Sequence, residues 1–108
     1  MDISKHPLPT EKEVQTGIIQ ALNLNGWTVK RMPPSIYTSA KGVPDLYVCK
    51  NKRSAWIEVK SPNKKSKLSD EQRKWLEDVE GAGIVCIVAR SVKFAVDVCD
   101  ALECKEVP

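Results

Sequence analysis

The stretch Pro44-Asp45-Leu46-Tyr47-Val48-Cys49-Lys50-Asn51-Lys52-Arg53-Ser54-Ala55-Trp56-Ile57-Glu58-Val59-Lys60 decides the fold. Residues 45–49 and 55–60 alternate and are rich in strand formers, and residues 50–53 form a short polar turn between them, which predicts a β-hairpin. Folding it about the turn sets Cys49 opposite Ser54, Tyr47 opposite Trp56 and Asp45 opposite Glu58, with directly opposed Cβ atoms ~4.5–5.5 Å apart. Because side chains alternate along a strand, Glu58 and Lys60 project to one side and Ile57 and Val59 to the other. Pro44 suits the first residue of a strand and fixes the chain entering Asp45.

Outward from the hairpin, Thr10 through Leu24 reads as a helix with Val14, Ile18 and Leu22 on one stripe and Asn25-Gly26 as its stop. Thr10 and Glu13 have capping-box spacing. That occupies Glu13 structurally and leaves Glu11, on the stripe side, as the better candidate for a site carboxylate; an acid near the positive end of the helix dipole is the plainer alternative. Trp27 to Met32 is an expected strand, followed by a loop from Pro33 to Gly42 that leads into Pro44-Asp45. A basic segment, Ser61 to Lys67, leads to a helix from Ser69 to about Val79. Gln72 has two readings there: partner of Ser69 in a second capping box, or a site residue aimed at the sheet near Lys60. Gly81-Ala82-Gly83 ends that helix, the apolar run Ile84 to Ala89 suggests a strand buried on both faces, and Ser91 opens a last helix to about Leu102. The order is helix, three strands, helix, strand, helix.

Composition bounds the function. The 108 residues are expected to form one domain over 1–108, with 1–9 as an N-terminal extension. No apolar run approaches the ~20 residues of a membrane span, and the N-terminus lacks a basic region before an apolar stretch, so a soluble intracellular protein is expected. The four cysteines include no Cys-x-x-Cys pair, which argues against a zinc site or disulfide framework. The lone histidine, His6, lies in a Pro-flanked terminal segment and reads as surface. The net charge is only +3, but the bases concentrate between Lys50 and Lys74, beside the acids, where they suit a polyanionic partner. Lys64, Lys65, Lys67 and Arg73 are the candidate DNA contacts there, with Tyr37 and Lys41 from the preceding loop.

Two carboxylates placed across a sheet from one another repel, so Asp45 and Glu58 call for a cation between them. Hard ions such as magnesium take carboxylate oxygens, waters and substrate phosphate oxygens. Asp45 and Glu58, the Val59 backbone carbonyl and Glu11 are the candidate ligands. Lys60 beside them suits the orientation of a water or the stabilisation of charge on a phosphate, which is the chemistry of metal-dependent phosphodiester hydrolysis. The rival classes are a DNA-binding module without catalysis, and an interaction subunit that docks a partner through exposed Trp27 or Trp75.

The series Glu11-Lys12-Glu13-Val14-Gln15, Gly26-Trp27, Gly42-Val43-Pro44-Asp45, Trp56-Ile57-Glu58-Val59-Lys60, Leu68-Ser69, Gln72 and the late Gly83 resembles the VRR-NUC (virus-type replication-repair nuclease) domain of the PD-(D/E)xK nuclease superfamily. The resemblance runs from about Thr10 to the last helix. It implies an α/β, restriction-endonuclease-like core, a mixed central sheet flanked by helices. It also implies Mg2+ or Mn2+ held by Asp45 and Glu58, Lys60 positioning or activating water, Glu11 completing the cradle, and Gln72 as a catalytic residue. Small stand-alone members occur in phages, which would place the chain in a host cytoplasm. Their likeness to Holliday-junction resolvases implies a homodimer making paired cuts in branched DNA. An exonuclease of the same fold is the alternative within enzymes.

Overall fold

The computed structural model describes residues 7–33, 42–63 and 65–104. The first helix, α1, spans Glu11–Leu24. Its start is fixed as the sequence predicts: the Thr10 hydroxyl accepts the Glu13 N–H at 3.1 Å and the Glu13 carboxylate accepts the Thr10 N–H at 3.2 Å. Its Val14, Ile18 and Leu22 stripe is buried.

Strand β1 (Thr28–Arg31) pairs antiparallel with β2 (Leu46–Lys50), which pairs antiparallel with β3 (Arg53–Val59). The hairpin has the expected register, with Tyr47 opposite Trp56 and Cys49 opposite Ser54. Its turn is tighter than the polar run suggests, because Lys50 and Arg53 still pair and only Asn51 and Lys52 turn the chain. Both have positive φ, 49° and 67°. Such a two-residue turn matches the right-handed twist of the strands it joins. Helix α2 (Asp70–Gly81) then carries the chain to β4 (Cys86–Ala89), which lies parallel to β3, and α3 (Val92–Glu103) follows. The sheet is therefore mixed, in the order β1-β2-β3-β4.

Side-chain alternation divides the sheet into two unlike faces. Leu46, Val48, Ala55, Ile57 and Val59 form one core with the stripe of α1 and with Ala95, Cys99 and Leu102 of α3. Each large aliphatic side chain buried this way contributes about 1.5–3 kcal/mol. On the other face, Trp56 meets the edge of Trp75 from α2 at a centroid distance of 5.1 Å and Tyr47 at 4.9 Å.

Two expectations are corrected here. β4 is not buried on both faces: Ile87 and Ala89 are buried while Cys86 and Val88 are only half-buried, because among the described helices α2 alone covers the face away from α1 and α3. Trp27 is not an exposed docking residue. At 2% exposure it belongs to the core between α1 and the sheet, and its indole N–H has no partner among the described residues. Trp75 is half-buried against Trp56. No described helix is long and apolar enough to cross a membrane.

Candidate functional site

The site lies where the hairpin ends and its ladder stops. Asp45 sits one residue before β2, behind the fully buried Pro44. Its carbonyl accepts the Met32 N–H at 2.8 Å, and its carboxylate Oδ2 accepts the Val59 N–H at 2.8 Å. The side chain thus takes over from the backbone as the link to β3, which locks the carboxylate beside that strand. The N–H and C=O of one strand residue project to the same edge, so the Val59 carbonyl is directed to the side occupied by Asp45.

Among the described residues, Glu58 and Lys60 are the buried charged side chains, 2% and 9% exposed. Both are held by Gln72, in the first turn of α2. Gln72 Nε2 donates to Glu58 Oε2 at 2.8 Å, and Gln72 Oε1 accepts from Lys60 Nζ at 3.1 Å. The same Oε1 accepts the Ser69 N–H at 2.9 Å, while the Ser69 hydroxyl accepts the Gln72 N–H at 3.1 Å. Gln72 therefore closes the capping box and also reaches Lys60 and Glu58. An amide oxygen has two lone pairs, and this one caps the helix with the first and holds Lys60 with the second. Lys60 Nζ also lies 3.6 Å from Glu58 Oε2, and its backbone N–H continues the parallel ladder to the Ala89 carbonyl at 2.9 Å.

Burial pushes the Glu58 carboxyl up to about 8, and the Asp45 charge beside it adds to the rise. Lys60 pulls the other way, while a hydrogen bond to Asp45 and the charge of Glu11 raise it further. The arrangement is two acids and one ammonium in a nearly dry corner, short of positive charge. That donor set fits a divalent cation, whose charge would replace the proton that Glu58 otherwise keeps.

The described residues bring together Asp45, Glu58, Lys60 and Gln72. Glu11 is exposed at the start of α1 and reaches Glu58 only through its field, whereas Glu13 is occupied in the cap. Among the described residues no three His, Cys, Asp or Glu side chains gather closely enough to hold an ion; the acids that meet are Asp45 and Glu58, beside the backbone of β3. Lys65, Lys67 and Arg73 are exposed and make no ion pair among the described residues. Tyr37, Lys41, Lys64 and His6 lie outside the described residues. Lys50, part of the basic stretch, is not free for a partner, because it pairs with Glu103 at 3.0 Å and donates to the Asn25 carbonyl.

Arg90 plays a part that sequence reasoning missed. From the end of β4, its guanidinium donates to the carbonyls of Ser61 at 3.0 Å, Asn63 at 3.3 Å and Ser66, which ties down the basic loop that leaves Lys60. The signal available was an arginine directly after an apolar run, a pattern too common to single it out.

The model of the VRR-NUC domain family matches residues 10–93. A solved structure described as "VRR_NUC domain protein" is similar in fold, with a TM-score of 0.70, 18% sequence identity, and 89% of each chain covered. No curated protein matches.

Proposed function

Because the chain belongs to the VRR-NUC domain family, a family of nuclease-type function, we propose that it is a metal-dependent, structure-selective DNA endonuclease. Its substrate in this reading is branched DNA such as a four-way (Holliday) junction, its ion Mg2+ with Mn2+ as a substitute, and its working form a homodimer. The observation that carries the reading is the buried network in which Gln72 holds both Glu58 and Lys60 beside Asp45. A solvated face would keep these charges in water. Here they are desolvated and fixed, an arrangement that costs stability and is found where chemistry uses it.

Asp45 and Glu58, with the Val59 carbonyl beside them, are the groups that would hold the ion. When bound, such an ion neutralises phosphate charge and activates a water as nucleophile. The protein's own residues then have distinct tasks. Asp45, fixed by the Val59 N–H, presents its remaining oxygen without needing to reorganise. Lys60 has its ammonium held by Gln72 and stabilises negative charge gathering on the phosphate, a preorganised electrostatic role. Gln72 neutralises nothing; it keeps Glu58 and Lys60 at fixed separation and anchors both to α2. Lys65, Lys67 and Arg73 supply a basic approach for a polyanion. Paired cuts in a symmetric junction need two sites related by a two-fold axis, which a closed dimer provides.

The test is a panel of linear, flap and four-way junction DNAs with Mg2+ or Mn2+, run beside the Lys60→Ala and Asp45→Asn proteins and a measurement of mass in solution. We expect the junction to be cut best, and Lys60→Ala to keep DNA binding while losing about 10²–10³-fold in rate. A wild-type protein that nicks none of these DNAs with either ion ends the reading.

A further inference from the structure

A cleft of about 240 Å³ opens against the site, between Gln15 of α1 and Gln72 of α2, with Arg31, Gly42 and Asp45 among its walls. It shares Asp45 and Gln72 with the charged network, so whatever enters it lies next to a phosphate positioned at Asp45. Its far wall differs in kind. Arg31 pairs in register with Leu46, which puts its side chain on the α1 side of the sheet, at the outer strand and in solvent. Arg53 is committed to the Leu102 and Asn51 carbonyls and Arg90 to the loop after Lys60, while Arg73 is exposed on α2 and does not line the cleft. Among the described residues Arg31 has neither an acid nor a carbonyl to hold it.

We propose that this cleft receives the sugar-phosphate next to the one being cut, with Arg31 as its phosphate ligand and Gln15 as a hydrogen-bonding partner; the assignment rests on the phosphodiesterase reading of the neighbouring site. A guanidinium presents a planar fork that matches two phosphate oxygens at once. The cleft is smaller than the ~300–1,000 Å³ of pockets that enclose a whole small molecule, so it suits one unit of a polymer passing across it. Among the described residues its lining is polar, charged or aliphatic, which suits contact with a sugar-phosphate unit. Contacts of this kind position the backbone without reading sequence. The walls are also built rather than incidental, since Gly42 at φ +86° packs its backbone directly on the first turn of α2.

The experiment compares wild type with Arg31→Ala, Arg31→Lys and Gln15→Ala. Lys93→Ala, on α3 and paired with Asp97, serves as the control. Binding to junction DNA is measured in EDTA over a range of salt, and cleavage kinetics are measured with Mg2+. Arg31→Ala is expected to reduce the slope of log Kd against log salt by about 1, as loss of one phosphate contact does, and to raise KM with kcat held. Arg31→Lys should keep the slope and lose part of the affinity, Gln15→Ala should raise KM without changing the slope, and Lys93→Ala should change neither. An Arg31→Ala protein with wild-type slope and KM overturns the cleft and leaves the nuclease reading standing. A wild type whose DNA binding depends on Arg31 but which cuts nothing upholds the cleft and ends the nuclease reading. A wild type that binds no DNA overturns both.

Discussion

The two faces of the β2–β3 hairpin are made from alternate residues of the same strands, and they obey different rules. Toward α1 and α3, Leu46, Val48, Ala55, Ile57 and Val59 are all fully buried and apolar. That face asks only for volume and shape, and many aliphatic combinations would satisfy it. Toward the first turn of α2, Glu58 and Lys60 are nearly as buried but ionisable, and each is held through a partner recruited from another element. The first face supplies stability and the second spends it. Substitutions on one should unfold the protein, and substitutions on the other should disarm it.

The sharpest separation is expected between neighbours in sequence. Glu58→Gln removes a charge that burial opposes, so the metal-free protein should be at least as stable as wild type near pH 8, while cleavage falls by about 10²–10³-fold or more. Ile57→Ala, one residue earlier and on the other face, should cost about 2–5 kcal/mol. Each kcal/mol lowers Tm by about 4–8 °C in a domain this small. Below that lowered Tm, Ile57→Ala should still cut DNA. Thermal melts in EDTA beside a junction-nicking assay check both. If Glu58→Gln lowered Tm as far as Ile57→Ala does, the two faces would not differ in the way described.

A smaller effect follows from pH. Glu58 holds its proton up to about pH 8 in the folded protein, against an ordinary value of 4.5. Between those limits the folded chain binds more protons than the unfolded one, so stability is greatest below about 4.5 as far as this group is concerned, and is lost as pH rises toward 8. The loss should be on the order of a few kcal/mol. Urea unfolding in EDTA at pH 5 and pH 8 measures it, and the same comparison on Glu58→Gln should be flat. A wild-type stability that climbs across that window would show the carboxyl to be ionised and well partnered without any added cation.

The apolar face was the more legible of the two in the sequence. Strand alternation and a short turn fix the register of the hairpin, and with it the side on which Ile57 and Glu58 each fall, because a one-residue slip would turn the whole core outward. The meeting of Asp45 with Glu58 follows from the same register. Elements distant along the chain were harder to read. Gln72 offered two roles that looked exclusive until the geometry showed one oxygen serving both. Arg90 reaches the loop after Lys60 from 29 residues away, and Arg31 and Gln15 share a cleft only because β1 and α1 are brought to the same end of the sheet. The run Ile84 to Ala89 misled in the opposite direction, since continuous apolarity says nothing about how far a covering helix extends.

Two glycines make the last comparison. On the apolar side, Gly17 of α1 faces α3, and a Cβ there would come within 2.6 Å of the Val92 Cγ2 atom. The obstacle is the tip of a side chain, which can give way. Overpacking of this kind costs about 1–3 kcal/mol, and replacing a mid-helix glycine by alanine returns about 1 kcal/mol, so Gly17→Ala should cost about 0–2 kcal/mol net. Gly42, on the site side, has φ +86° and a Cβ there would strike the Glu71 carbonyl, part of the helix backbone itself. Backbone cannot rotate aside, and alanine is disfavoured at that φ as well, so Gly42→Ala should cost about 1–3 kcal/mol or more. The distinguishing readout is cleavage by folded protein. Relief at position 42 requires the first turn of α2 to move away, and Gln72 moves with it, loosening Glu58 and Lys60 together. Gly42→Ala should therefore lose more activity than its unfolded fraction accounts for, and Gly17→Ala should lose none beyond it. Equal specific activities in the two folded variants would mean that the position of α2 does not govern the charged network.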